Sequence, residues 1–164
     1  QERKGLHNLL QACANLPASL QPGLIIVGDG PDLSRLEALA SDVYPHATFT
    51  GALYGEALDE QYRKADLFVL PGTGGLAIQQ AMSFGLPIIA AEADGTQVDL
   101  VRPGNGWQIP PNDVYALQAA LEESLSNVSR LRRMGAESYR IVSDEINLEK
   151  MVAVFIQAIQ ESLS

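Results

Sequence analysis

The chain has 164 residues, and its 20 acidic and 11 basic side chains give a formal charge of −9 at pH 7. This length fits one domain with a substantial core, and a hydrophobic content of 46% excludes a disordered chain. The sequence has no apolar run near the roughly 20 residues that span a bilayer, and its acidic balance argues against nucleic-acid binding. Cys13, the single cysteine, allows no disulfide within these residues and is typical of a reducing compartment.

The first elements follow from the spacing of apolar residues. A spacing of i, i+3, i+4 and i+7 predicts a helix over residues 5–16 that ends before Pro17. Residues 24–27 form a short apolar run, which is typical of a parallel strand buried on both faces. A glycine-containing turn at residues 28–31 and a further helix come next.

The same alternation continues to residue 111. Strands are predicted at residues 48–50, 67–70, 87–91 and 107–109, and helices at residues 56–65 and 75–84. After residue 111 only helices are predicted, starting at Asn112 or Asp113, at Asn127 and at Asn147. We therefore predict one α/β domain over residues 1–164, with a Rossmann-like parallel sheet covered by helices on both faces. Its βα repeats occupy residues 1–111, and a helical tail occupies residues 112–164.

Two glycine-rich turns follow predicted strands, where open parallel sheets bind ligands. The turn at residues 28–31 starts like a dinucleotide fingerprint, but Leu33 occupies the third glycine position, which disfavours an NAD-binding dehydrogenase. The turn at residues 71–76 directly precedes a helix, so its free N–H groups could bind a phosphate. This turn lacks the Lys-Ser/Thr ending of a P-loop.

Polar side chains near these turns each have a functional and an ordinary interpretation. Gln79 and Gln80 could bind a sugar hydroxyl or face solvent, and Lys4 could offset phosphate charge or be a solvated surface lysine. Acidic residues around Gly95 and Thr96 could orient a sugar or solvate a loop. These acidic residues are Glu92, Asp94 and Asp99.

Taken in order, the segments resemble the C-terminal, donor-binding domain of the group 1 (family 4) glycosyltransferases of the GT-B fold. The motifs that carry the resemblance lie at residues 4–6, 24–31, 49–51, 65–71, 75–76, 81–89 and 105–113. They cover nearly the whole chain. Each motif is weak alone, but their order and spacing are specific.

The resemblance implies a retaining transfer of a hexosyl group from a UDP-, GDP- or ADP-sugar, with no metal or other cofactor. Lys4 would neutralise the donor diphosphate. The family's glycine-rich turn falls on Gly74, Gly75 and Leu76, whose backbone amides would hold the distal phosphate and the sugar, and Gln80 would contact the ribose. Gly72 and Thr73, which directly precede this turn, are also expected to bind the nucleotide sugar. The loop that contains Gly51 and Leu53 would seat the nucleobase.

Two positions depart from the family, which typically has a pair of glutamates separated by seven residues. The first falls on Gly72 and the second on Gln80, which as a neutral partner would typically give a weaker hydrogen bond than a carboxylate. These departures support an alternative, a non-catalytic relative that binds a nucleotide sugar or a partner protein. The related sugar-nucleotide epimerases would need acid–base residues that the sequence does not place.

The start of the chain at Gln1, without an initiator methionine or a hydrophobic first strand, indicates a piece of a longer protein. The family resemblance implies that an arginine, the first strand and an acceptor-binding N-terminal domain precede residue 1. We therefore expect the isolated domain to be inactive. The acceptor stays open between a saccharide, a lipid-linked and a small-molecule acceptor. We predict a cytoplasmic location, and peripheral attachment of the full-length protein to the inner membrane stays open.

Overall fold

Short parallel strands form two sheets in the computed structural model, which describes residues 4–93, 95–146 and 156. Strand β1 (Leu24–Ile26) pairs with β2 (Ala47–Phe49). Strand β4 (Ile88–Ala91) lies between β3 (Phe68–Leu70) and β5 (Gly106–Ile109), and both pairings are parallel. The predicted parallel α/β fold is therefore confirmed.

The helices alternate with these strands and then continue alone. They are α1 (Leu6–Ala14), α2 (Leu33–Val43), α3 (Glu56–Lys64), α4 (Gly75–Ser83), α5 (Thr96–Leu100), α6 (Val114–Leu125) and α7 (Val128–Asp144). Helix α5 was not predicted, because five residues are too few for a helical repeat of apolar positions to be recognised. The helix predicted to start at Asn147 lies outside the described residues. None of the described helices is long and apolar enough to cross a bilayer.

Two apolar clusters cover the two faces of the three-stranded sheet. The side chains of β4 are all buried and alternate between the clusters, with Ile89 and Ala91 in one and Ile88 and Ala90 in the other. The first cluster also contains residues of α1, α2 and α6, and the second contains residues of α4 and α7. This arrangement explains why the strand sequence is apolar at every position.

Polar side chains begin both helices that follow β5. The Asp113 carboxylate accepts a hydrogen bond from the Ala116 N–H at 2.9 Å. The Asn127 side chain accepts one from the Arg130 N–H at the same distance. Both bonds satisfy a backbone donor that the first turn of a helix leaves free, so the predicted starts of α6 and α7 are confirmed.

The start of α1 lies against the carboxyl end of β3. Gly5 is buried and has a φ of 65°, and a Cβ atom at this position would lie 2.5 Å from the Pro71 carbonyl oxygen. Glycine therefore allows α1 to begin beside the turn that follows β3. This close approach brings Lys4, the residue before Gly5, to the edge of the sheet where parallel strands bind ligands.

Candidate functional site

Lys4 lies on the glycine-rich turn between β3 and α4. Its ammonium group donates a hydrogen bond to the Thr73 carbonyl oxygen at 2.6 Å. A Cβ atom at Gly74 would lie 3.0 Å from Lys4 Nζ, so the glycine leaves room for the lysine head group. The structure thus brings together a predicted cation and a predicted phosphate-binding turn that are about 70 residues apart in the sequence.

Helix α4 begins at this turn, and no side chain of the described residues caps its first N–H groups. Gly74 occupies the N-cap position with a φ of 145°, a conformation that favours glycine, and it has no side chain to form a cap. The first turn of α4 carries no acidic residue. The partial positive charge at the helix start and the Lys4 ammonium therefore face the same small region, which suits an anion.

The start of α5 lies against the opposite side of the turn. A Cβ atom at Gly75 would lie 2.8 Å from Thr96 Oγ1 and 3.3 Å from Thr96 Cβ. Sequence reasoning mentioned Thr96 only as part of an acidic loop and missed its contact with Gly75. The adjacency of β3 and β4 was the available signal, because the carboxyl ends of neighbouring parallel strands meet at the same edge.

The two positions that replace the family glutamates lie at different depths in this site. Gly72 is in the bend that directly follows β3 and offers only backbone groups. Gln80 lies five residues into α4, which is about 7.5 Å along the helix axis. Its side chain is partly exposed and makes no hydrogen bond with any described residue. It is therefore available to a ligand that extends along α4.

Gly51 and Leu53 lie in a second group of turns, beyond β1 and β2. The Gly28 N–H donates to the Gly51 carbonyl oxygen at 2.8 Å, which joins the turn after β1 to the loop after β2. Leu53 is partly buried in this loop. Among the described residues no hydrogen bond connects these turns to Lys4 or to α4. The predicted nucleobase loop and phosphate turn thus belong to different sheets.

The Gly28 turn itself is poorly suited to a phosphate. The Asp29 carboxylate accepts a hydrogen bond from the Gly30 N–H at 2.7 Å, so it occupies one of the backbone donors that a phosphate would use. A carboxylate at this position also repels an anion. Of the two glycine-rich turns, the one before α4 offers the stronger phosphate site.

The thiol of Cys13 does not contribute to this site. Cys13 is fully buried in α1, and burial raises the pKa of its thiol to about 12. A thiol with this pKa is almost entirely protonated near neutral pH and is a poor nucleophile. Within the described ranges, no three His, Cys, Asp or Glu side chains converge as metal ligands would.

Comparisons with known proteins agree with the fold and indicate the family. The family described as Glycosyl transferases group 1 matches residues 1–141. A GDP-mannose-dependent alpha-mannosyltransferase from Corynebacterium glutamicum is 36% identical over 140 residues, which are 83% of this chain and 33% of the relative. A GDP-mannose-dependent monoacylated alpha-(1-6)-phosphatidylinositol monomannoside mannosyltransferase from the same species is 31% identical over 160 residues, or 91% of this chain and 42% of the relative. The chain therefore spans less than half the length of either relative.

Solved structures of the GT-B class share the fold. Sucrose-phosphate synthase from Thermosynechococcus elongatus superimposes with a TM-score of 0.84 and 27% identity, over 99% of this chain and 43% of that chain. HepE from Anabaena, crystallised with UDP and glucose, superimposes with a TM-score of 0.80 and 24% identity, over 99% of this chain and 45% of HepE. The C-terminal domain of the group 1 protein LpcC from Francisella tularensis superimposes with a TM-score of 0.78 and 19% identity, over 90% of this chain and 82% of that domain. The family match over most of the chain and this shared fold establish that the chain belongs to the group 1 glycosyltransferases.

Proposed function

We propose that this chain binds a nucleoside-diphosphate sugar and forms the donor half of a retaining hexosyltransferase. The observation that carries the proposal is the Lys4 ammonium group, held at 2.6 Å from the Thr73 carbonyl oxygen beside the uncapped start of α4. A diphosphate at this point would receive charge-assisted hydrogen bonds from the lysine and further bonds from the backbone N–H groups of α4.

The same groups suit the chemistry of sugar transfer. When the bond between the sugar and the diphosphate breaks, negative charge develops on the departing phosphate. Preorganised donors and a cation aimed at that charge lower the barrier. The Lys4 ammonium has three donors, so it can bind a phosphate oxygen while it keeps its hydrogen bond to Thr73.

GDP-mannose is the first donor to test. Five relatives at or above 30% identity are named as GDP-mannose-dependent mannosyltransferases. HepE, which shares the fold, was crystallised with UDP and glucose, so a UDP-sugar is the second donor to compare. Gln80 and the Gly51–Leu53 loop would contact the nucleoside, the former at the ribose and the latter at the base.

The phosphate site is tested by titration calorimetry with GDP, UDP and ADP. We expect one of the three to bind and Lys4→Ala to lower its affinity about tenfold to a hundredfold, the usual range for hydrogen bonds to a charged group. Lys64→Ala is the matched control, because Lys64 lies on α3 and pairs with Glu60 at 3.6 Å. Equal affinity of Lys4→Ala and wild type would refute the site.

A second candidate function rests on Gly72 and Gln80. Both positions lack the carboxylate that the family typically carries, which supports a relative that binds a nucleotide sugar without transferring it. Release of nucleoside diphosphate by the longer protein that contains this chain separates the two functions. Binding of GDP-mannose or UDP-glucose without release, in the presence of saccharide, lipid-linked and small-molecule acceptors, would favour the non-catalytic function.

We propose that a further strand and an acceptor-binding domain complete the enzyme. Strand β1 is paired only with β2, and β3 only with β4, among the described residues. Because α1 starts at the carboxyl end of β3, a strand that leads into Lys4 would run beside β3 and parallel to it. The 164-residue chain is then expected to bind donor without turnover.

The single buried thiol of Cys13 is compatible with a cytoplasmic location.

A further inference from the structure

Glu92 and Gly72 follow neighbouring strands at the same carboxyl edge of the sheet. Leu70 of β3 pairs with Ala90 of β4, so Gly72 and Glu92 each lie two residues beyond the same paired position. Neighbouring strands are about 4.8 Å apart. Gly72 itself contributes no side chain at the carboxyl edge of the sheet.

The alternation of side chains directs Glu92 toward the face that α4 covers. Ala90 and Leu70 both belong to the apolar cluster that includes Ile78 and Met82 of α4. Glu92 is two residues after Ala90, and successive side chains of a strand point to opposite faces, so Glu92 shares the face of Ala90. This is the face on which the phosphate-binding turn begins α4.

The backbone of Glu92 is fixed, and its carboxylate has no partner in the described part of the chain. The Glu92 N–H donates to the Ile109 carbonyl oxygen at 3.0 Å, which extends the β4–β5 pairing by one residue. The side chain is exposed, and it makes neither a hydrogen bond nor an ion pair with a described residue. The carboxylate is thus positioned by the sheet but is not used in holding the fold together.

Charges divide the site into two ends. Lys4 lies on the Gly74 side of the turn, 3.0 Å from where a Cβ atom would be. Thr96, the first residue of α5 and four residues after Glu92, lies on the Gly75 side. A carboxylate repels phosphate but accepts strong hydrogen bonds from hydroxyl groups. The end near Lys4 therefore suits the diphosphate, and the end near Glu92 suits a sugar.

We propose that the Glu92 carboxylate accepts hydrogen bonds from hydroxyl groups of the transferred sugar and that it is a specificity-determining residue of this site. The assignment rests on the proposed function, because it needs the diphosphate to lie at the start of α4. It supplies a carboxylate at the edge of the sheet where Gly72 contributes no side chain. A site built to bind a hydroxyl group discriminates strongly between ligands that carry it and ligands that lack it.

The test compares affinities for a sugar nucleotide and for its nucleoside diphosphate. The chain is titrated with GDP and GDP-mannose, and with UDP and UDP-glucose, as wild type and as Glu92→Ala and Glu92→Gln. We expect Glu92→Ala to lower the affinity for the sugar nucleotide about tenfold, as loss of a charge-assisted hydrogen bond does, and to leave the affinity for the diphosphate unchanged. Glu92→Gln should lose less than Glu92→Ala.

Glu122→Gln is the matched control, because Glu122 is an exposed glutamate on α6. The proposal for Glu92 is overturned if Glu92→Ala lowers the affinity for the sugar nucleotide and for the nucleoside diphosphate equally. It is also overturned if a Glu92→Ala variant that melts at the same temperature as the wild type binds the sugar nucleotide equally well. If the wild type binds none of the four ligands, the proposed function is wrong and this assignment is wrong with it. Lys4→Ala should weaken the binding of both ligands of a pair. It therefore distinguishes a failure of the Glu92 assignment from a failure of the proposed function.

Discussion

Gly74 and Gly75 lie between two side chains that come from distant parts of the sequence. Lys4 Nζ would be 3.0 Å from a Cβ atom at Gly74, and Thr96 Oγ1 would be 2.8 Å from one at Gly75. The second distance is shorter than real Cβ contacts, so a side chain at Gly75 must displace Thr96 or the backbone of the turn. Packing against Thr96 therefore favours glycine at position 75, whereas at position 74 the φ of 145° favours glycine.

We predict that Gly75→Val lowers the affinity for nucleoside diphosphate at least tenfold, because it moves the first N–H groups of α4 by a few tenths of an ångström or more. Titration calorimetry measures the affinity, and circular dichroism checks the fold. The double variant Gly75→Ala with Thr96→Gly should bind better than Gly75→Ala alone, since the clash is removed. Gly23→Ala is the control, because nothing lies within 4 Å of a Cβ atom there. Unchanged affinity of Gly75→Val would contradict the site.

At the scale of single elements, the end of α7 is held by an exposed network of charges. Arg140 pairs with Glu137 at 2.7 Å and with Glu145 at 2.9 Å, and Arg102 pairs with Glu145 at 2.7 Å. The hydrogen bond from Arg140 lowers the pKa of Glu137 below its usual value. Hydrogen bonds from Arg102 and then from Arg140 lower the pKa of Glu145. The network ties α7 to Arg102, the residue that follows α5 and Val101.

This network predicts a pH-dependent stability. Because both carboxyl groups have a lower pKa in the folded state, their contribution is present above the unfolded pKa near 4.5 and is lost as the pH falls through the lower folded value. The calorimetric melting temperatures of wild type and Arg140→Gln should differ at pH 7, and the difference should shrink as the pH falls below 4.5. Arg132→Gln, at an exposed position of the same helix, should show no such convergence. A difference that persists unchanged at pH 3 would contradict the prediction.

At the scale of the whole molecule, α7 covers the sheet by packing closely on the turn that ends α4. Gly85, in that turn, has a φ of 70°, and a Cβ atom at Gly135 of α7 would collide with the Gly85 carbonyl oxygen. The cluster on this face joins Ile141 of α7 to Ile78 and Met82 of α4. The position of α4, and with it the phosphate-binding turn, therefore depends on this close contact.

We predict that Gly135→Ala destabilises the protein, although alanine is favoured over glycine in a helix by about 1 kcal/mol. Forcing an extra methyl group against backbone costs about 1–3 kcal/mol, so the net change should be unfavourable. Urea unfolding of wild type and Gly135→Ala measures this change in the free energy of unfolding. Gly104→Ala is the control, because its Cβ atom would meet only Glu137 Cγ at 3.5 Å, an ordinary contact. A stability gain for Gly135→Ala would show that α7 can move away from the turn.

The secondary structure and the family were predicted from sequence because both depend on local pattern. The predicted strands at residues 24–27 and 67–70 lie within one or two residues of β1 and β3. The caps Asp113 and Asn127 act where they were expected, since a cap bonds to a residue three positions away. The resemblance to group 1 glycosyltransferases, drawn from ordered motifs, is confirmed by the match over residues 1–141.

The tertiary structure alone decided which side chains meet at the site. Lys4 and Thr73 are far apart in sequence, and their contact depends on α1 starting beside the end of β3. The arrival of Glu92 and Gly72 at the same edge of the sheet depends on the register of β3 and β4, which a sequence pattern does not specify when both strands are apolar on both faces. Local spacing thus determined the elements and the glycine turn, whereas long-range packing and strand register determined the charges that surround it.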